Sequence, residues 1–316
     1  MQGNLIFIWQ QDKLGLVFGK EEIVLAAEEF CSGFQALGET IRHFLKRHGI
    51  SPSNIKNVIV VADLTALLPR QLAKESVFGY WRVTPAPFDF APIAPLIEDS
   101  AIKIHSFHLP LPEHSEHEAH FQKALLTFSR LPVRNIAINS TFSRIYPAGE
   151  EEIIQRAEEL LPGRFTYHPS HNYNTPNFLL RENVLLINLI LLDPVKSFLS
   201  WLKSSFDDCS VSAPLYFLKG DGTLTSSRTV ATNPLITWQS HLASFLLGGS
   251  RWFNQGDTVV IIENTGEKGI GLGVTENYLP RLAGRFSSFC GVELPGNYPL
   301  TVHLKERPNK TRGVVG

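Results

Sequence analysis

Two stretches near opposite ends of the chain share one pattern, and it restricts the fold more than any other feature. Leu5–Phe18 reads LIFIW-QQDK-LGLVF, and Thr258–Val274 reads TVVIIE-NTGEK-GIGLGV. Each is an apolar run, a short polar turn and a second run rich in branched or aromatic side chains, which is the signature of a β-hairpin. Helical and single-strand patterns fill the space between them. A hairpin unit used twice in an alternating chain predicts an α/β fold with two related lobes.

The segments between the hairpins are read as follows. Glu28–Arg47 has Phe30, Phe34, Leu37, Ile41, Phe44 and Leu45 at helical spacing, with Gly49 as a stop. Val58–Ala62 is an apolar run of buried-strand type. Residues 84–113 are rich in proline and predict irregular surface chain. Ile136–Ile138 starts a short strand, and Glu150–Leu161 is a charged helix that stops at Pro162-Gly163. Phe178–Phe206 is a long apolar helix that Pro194 is expected to kink or divide, because proline lacks the backbone donor and clashes with the preceding turn. Leu215–Leu218 is a strand, Gly220-Asp221-Gly222 a turn, Leu300–Leu304 a last strand, and the polar end a frayed tail. The long helix is expected to connect the lobes, with a ligand in the cleft between them.

Composition excludes some function classes. The 316 residues carry a formal net charge of −1, which gives no electrostatic footprint for nucleic acid or an anionic membrane. No apolar run is read as approaching the ~20 residues of a membrane span, and no signal peptide is read at the start. Cys31, Cys209 and Cys290 are odd in number and scattered. That argues for a reducing, cytoplasmic setting and against a disulfide framework.

Three internal blocks carry a resemblance. The first is NIAINSTFSRIYPAGEEEIIQRAEELL from Asn135, the second HPSHNYNTPNFLLRENVLLIN from His168, and the third APLYFLKGDGTLTSSRTVATNPLITWQSHLASFLLGG from Ala213. Ser170-His171, Leu180-Arg181-Glu182-Asn183, Asn188 and Gly220–Leu224 are its firmest points. Together they resemble the hydantoinase/oxoprolinase family. The resemblance implies two ribonuclease H-like lobes facing a cleft, the actin-like ATPase architecture. It divides the chain into a lobe at 1–195 and a second, shortened one at 196–316. It also implies ATP- and Mg²⁺-dependent hydrolysis of a small cyclic amide of the hydantoin or 5-oxoproline type. ATP would activate the carbonyl oxygen as a phosphate ester, and the enzyme would be a homo-oligomer or work with a second subunit.

The phosphate turns depart from that family. Its first hairpin turn is of the type DxGGTxTD, in which the acid serves Mg²⁺ and the glycines let backbone N–H groups reach the phosphates. Here Trp9 stands at the place of the acid, followed by Gln10, Gln11, Asp12 and Lys13. An indole is no Mg²⁺ ligand. The second turn keeps an acid in Glu263 and one glycine in Gly266, with Glu267 after it, and the family's SGPA block has become Ser240-His241-Leu242-Ala243. The resemblance therefore implies weak or lost nucleotide chemistry. Its residues transfer as catalytic candidates Glu263, Asp12, Arg181, Glu182 and Asn183. Gly266, Glu267, Asp221, Gly222 and Ser240 are candidates for the cofactor, and His171 for the substrate. Each has a plain alternative: Glu182 suits a helix N-terminus, Asp221-Gly222 an ordinary turn, and His171 a packed histidine.

Two other functions stay open. One is a non-catalytic scaffold or a partner subunit of a two-component enzyme. The other is a His-rich metal-binding module, since His105, His108, His114, His117 and His120 lie close in sequence and His114, His117 and His120 have helical spacing. A solvated helix face accounts for the same pattern. Gly269, Gly271 and Gly273 alternate along a strand with no helix after them, so no dinucleotide loop is read there.

Overall fold

The computed structural model describes residues 2–10, 13–20, 23–31, 37–87, 91–252, 257–264, 270–284, 286–299 and 301–304. The chain begins with β1 (Gly3–Gln10) and β2 (Lys13–Lys20), antiparallel, with Leu5 opposite Phe18 and Gln10 opposite Lys13. Alternation puts Leu5, Phe7 and Trp9 of β1 and Leu14, Leu16 and Phe18 of β2 in the core. β3 (Ile23–Cys31) pairs along β2 and completes a meander. The segment from Glu28 to Cys31, expected to open a helix, is therefore the end of a strand. Ladder pairing satisfies its backbone and outweighs the helix preference of Glu28 and Glu29. The helix α1 begins only at Leu37 and runs to Arg47.

β4 (Ile55–Ala62) then runs parallel to β1 on the side away from β2. After the short α2 (Leu68–Leu72) comes β5 (Ser76–Val83), the small α3 (Ala94–Ile97) and β6 (Ile102–Leu109). The sequence reading did not recognise β5, and it took the proline-rich region containing β6 for irregular chain. β6 is a full strand parallel to β5, with Ser76 beside Ile102 and Val83 beside Leu109. Its prolines lie outside it, so no ladder donor is lost. α4 (His117–Arg130), β7 (Asn135–Ser140), α5 (Ala148–Leu160) and β8 (Thr166–Pro169) follow. The four strands form a parallel sheet in the order β6-β5-β7-β8. Trp81, Phe121, Phe128, Ile138 and Ile153 make its separate core with α4 and α5.

α6 (Phe178–Asp207) is one continuous helix of 30 residues with Pro194 inside it. The expected division does not occur. Leu189, Ile190, Leu191 and Leu192 before the proline and Val195 and Phe198 after it are all buried. Packing on both sides of Pro194 outweighs a helix penalty of about 3 kcal/mol. The helix is also long and apolar enough to cross a membrane by length and composition alone, contrary to the sequence reading. Here it forms the centre of the core: Trp9 stacks on Phe198 at 5.1 Å, and Phe7 meets Phe206 edge-on at 6.3 Å.

β9 (Leu215–Leu218) and β10 (Leu224–Ser226) return to the first sheet, whose order is β10-β9-β4-β1-β2-β3. β9 is parallel to β4. The boundary expected at residue 195 thus falls inside α6, and strands from both sides of it share one sheet. α7 (Ser227–Thr232) and α8 (Ser240–Trp252) lead to the second hairpin, β11 (Asp257–Asn264) and β12 (Ile270–Glu276), antiparallel as expected. β13 (Leu279–Pro280) and β16 (Thr301–Leu304) pair with β12, and β14 (Phe286–Phe289) with β15 (Val292–Pro295).

Candidate functional site

Because β1, β4 and β9 are parallel, their carboxyl ends open on one edge of the sheet, where α/β folds place their ligands. Asp63 follows β4 directly. Its Oδ1 accepts hydrogen bonds from the backbone N–H of Thr65 (3.0 Å) and from Thr65 Oγ1 (2.6 Å), and its Oδ2 accepts one from the N–H of Gln239 (3.0 Å). Gln239 has φ 61°, a left-handed conformation that turns the chain into α8. Leu64 N–H donates to Thr237 Oγ1 at 3.0 Å and locks the two segments together. Beside them runs the turn after β9. Gly220 N–H donates to Ile236 O at 2.9 Å, and a Cβ at residue 220 would lie 2.3 Å from Trp238 O, so only glycine fits.

Burial pushes the Asp63 carboxyl above its ordinary value, against the bonds from Thr65 and Gln239 and the charge of His241. Burial likewise pushes His241 down, with Asp63 opposing. For Asp221 burial acts upward, but Lys219 (2.8 Å) and Thr223 outweigh it, and the carboxyl lies below the usual range. At the start of α8 three consecutive residues have a buried polar atom with no hydrogen-bond partner: Gln239 Oε1, Ser240 Oγ and His241 Nε2. Buried polar atoms are nearly always paired, and these three lie together where the chain enters α8.

A second polar cluster sits at the start of α6. Asn177 caps the helix through Leu179 N and Leu180 N. Glu182 receives Arg82 Nε (2.9 Å), Arg82 Nη2 (2.8 Å) and Tyr80 Oη. Burial would lower Arg82, and the bidentate carboxylate reverses that and raises it; burial and then Glu182 push Tyr80 well up. Arg181, also fully buried, donates to Asn139 Oδ1, Ser170 Oγ, Thr175 O, Pro176 O and Ser140 O at 2.7–3.3 Å. Burial pulls its guanidinium down. Glu150 accepts from Ser140 N, Ser170 Oγ and His171 N, and pairs with His171 Nδ1 at 2.9 Å. His171 Nε2 reaches Glu151 at 3.1 Å.

The residues singled out in the sequence fall into three groups. Ser240, Asp221 and Gly222 belong to segments at the carboxyl edge. Arg181, Glu182 and His171 lie in the cluster at the head of α6, where Arg181 and Glu182 are wholly buried. Asn183, next to them, donates to Glu293 O at 2.9 Å. Glu263 is in β11 opposite Gly271. Its side chain, like Asp12, Gly266 and Glu267, lies outside the described residues. The sequence reading missed Asp63, Gln239, Tyr80, Arg82 and Glu150. Only Asp63 had a local signal, an acid placed directly after a buried strand.

Of the histidines, His108 and His120 meet edge-to-face with ring centroids 6.4 Å apart. His108 Nε2 bonds to Thr84 O and His117 Nδ1 to Pro110 O, while His114 precedes α4. Among the described residues no three His, Cys, Asp or Glu side chains come together as a metal site.

No family model and no curated protein sequence matches the chain. Solved structures do match its fold. An ATP-dependent caprolactamase from Pseudomonas jessenii superposes over 95% of this chain and 48% of its own, with TM-score 0.72 and 14% identity. A nucleotide-free acetone carboxylase, from work on ATP-dependent acetone carboxylation, covers 96% of this chain and 47% of its own, with TM-score 0.64 and 10% identity. The chain spans about half the length of each. The α/β fold, with the lobed architecture of these ATP-dependent enzymes, is the one that the resemblance implied.

Proposed function

We propose that the protein holds the phosphates of Mg·ATP at the start of α8 and uses them to activate the carbonyl of a cyclic amide. The observation that carries the reading is the row of unpartnered buried atoms on Gln239, Ser240 and His241. Their chemistry fits the group. The Ser240 hydroxyl and, in the Nε2–H tautomer of a neutral imidazole, His241 are donors for phosphate oxygens, at the end of a 13-residue helix whose dipole favours an anion. Gln239 Oε1 is an acceptor, suited to a hydrated cation or a sugar hydroxyl rather than to phosphate. Asp63 fixes the Gln239 backbone and so the entry to α8. Gly220 lets the turn after β9 approach Trp238 closely, which a Cβ would prevent.

When bound, ATP would supply a phosphoryl group that turns the amide oxygen into an activated ester and makes the carbonyl carbon more electrophilic. The chain's own part is to bind, orient and exclude water. The fold shared with two ATP-dependent enzymes supports nucleotide use. The cyclic amide is supported by the caprolactamase likeness and the resembling sequence blocks.

Calorimetry of Mg·ATP with the wild type and Ser240→Ala tests this. The expected result is micromolar to millimolar binding, weakened about tenfold by the substitution, a loss of ~1.4 kcal/mol. No heat and no thermal stabilisation of the folded protein at millimolar ATP would refute it. That result would favour the scaffold or partner-subunit reading.

A further inference from the structure

The first sheet has two unlike faces. Leu5, Phe7, Val60 and Phe217 point from one face into the core built on α6. On the other face α8 covers the carboxyl half, where Val61 and Leu218 pack with Ala243, and Ile6, Ile8 and Leu247 lie against them. The amino half of that face carries an open cavity of about 430 Å³. That volume is within the range of small-molecule sites.

Strand register assembles the wall of this cavity. Asn4 lies beside Asn57 across β1 and β4, Ile59 beside Tyr216 across β4 and β9, and Tyr216 opposite Ser226 across β9 and β10. Alternation places all of them on one face. Leu224 extends the apolar part of the wall. The wall stands on paired strands, and Ser226 Oγ is fixed by capping α7, accepting from Thr229 N at 3.2 Å. A prearranged wall lowers the ordering cost of binding a small ligand.

The lining selects a chemistry. No Lys, Arg, His, Asp or Glu lines the cavity, so nothing there offsets the hydration that a charged ligand would lose. Asn57 Nδ2 donates to Asn4 Oδ1 at 2.9 Å. That bond leaves Asn4 Nδ2 as a donor and Asn57 Oδ1 as an acceptor. They are neighbours on two strands, both reached by solvent, and neither is bonded to another described protein group. On the same face the Tyr216 ring is 36% exposed and lies beside Ile59. An apolar platform next to a neutral donor and acceptor suits a molecule with an apolar face and a rim of hydroxyls, since a hydroxyl both donates and accepts. We propose that this cavity binds a neutral sugar ring, with its C–H face on Tyr216 and two adjacent hydroxyls on Asn4 Nδ2 and Asn57 Oδ1. The site goes beyond the reading of the preceding section and does not rest on it. Asn57 is near the start of β4 and Asp63 follows its end, about 20 Å away along the strand.

Saturation-transfer NMR on the full chain, without nucleotide, tests the assignment. The probes are D-glucose, D-galactose, D-mannose and N-acetyl-D-glucosamine, with uracil as a flat ring that carries donors and acceptors but no hydroxyl rim. At least one sugar is expected to bind, with its signal strongest at the ring C–H protons. Tyr216→Ala, which removes the platform, should weaken that binding at least about tenfold. The double variant Asn4→Ala/Asn57→Ala should do the same, each with an unchanged far-UV spectrum. Three results would overturn the proposal: no signal from any of these sugars with folded wild type, a sugar signal undiminished in both variants, or a uracil signal stronger than every sugar's. Loss of ATP binding in Ser240→Ala leaves this outcome untouched, so the two readings fail separately.

Discussion

Replacing Glu182 with alanine removes the acceptor for three donors at once, Arg82 Nε, Arg82 Nη2 and Tyr80 Oη. The carboxylate is fully buried and Arg82 is 5% exposed, so water cannot take its place. Breaking a buried pair leaves one uncompensated charge and costs about 3–5 kcal/mol. That is a fifth or more of the total stability of an ordinary domain, about 5–15 kcal/mol. The pair itself is worth far less than the cost of breaking it, because both ions lose hydration on folding. The double variant Arg82→Met/Glu182→Leu removes both charges and should cost at least about 2 kcal/mol less than the two single losses added together. Urea unfolding of the wild type, the Glu182→Ala, Arg82→Met and Glu182→Leu single variants and the double variant would measure it. A loss below about 1 kcal/mol for Glu182→Ala, the range of surface substitutions, would refute the reasoning. So would single losses that simply add in the double variant.

Two further predictions follow from the same physics. His168 is held at a pKa of about 4 by burial and then by Lys196, against Asp193. Below the unfolded value of 6.5 the unfolded chain takes up a proton that the folded chain refuses. Stability is therefore complete above that pH and falls by on the order of 3 kcal/mol on the way to the folded value; His168→Gln should flatten that slope in urea titrations at successive pH. Gly220→Ala puts a methyl 2.3 Å from Trp238 O and 2.9 Å from the Tyr298 ring, so unfolding should show a loss of about 1–3 kcal/mol. A variant as stable as wild type would mean that the turn after β9 can retreat.

Hairpin β1–β2 could be read from the sequence because alternation and a polar turn are local signals, and both survive in the fold. β5 could not: SVFGYWRV is buried at nearly every position, since a parallel strand covered on both sides loses its alternation. β3 misled because its last residues favour a helix in isolation, while the ladder to β2 depends on residues elsewhere. Arg181, Glu182 and Asn183 stood out as a polar triplet at the head of an apolar helix. Their partners Arg82, Ser140 and Glu293 come from three other elements, so burial and pairing were invisible. Asp63 and Gln239 meet across 176 positions, a separation no sequence pattern reports. The candidate phosphate site was legible only in Ser240 and the Gly220-Asp221-Gly222 turn, and the rest is tertiary geometry.

The order of strands in the first sheet bears on how this chain can fold. Val58 and Leu215 are neighbours across β4 and β9, yet the whole parallel sheet of β5–β8 and all of α6 lie between them in the chain. Until that inserted unit has condensed, the end of β4 has no partner on its open side, and the floor under Asp63 does not exist. Contacts of such long range slow folding, because a large loop must close before they stabilise anything. A chain interrupted before residue 215 would keep the meander of β1–β3 and leave β4 as a bare apolar edge, a surface prone to pairing with other chains.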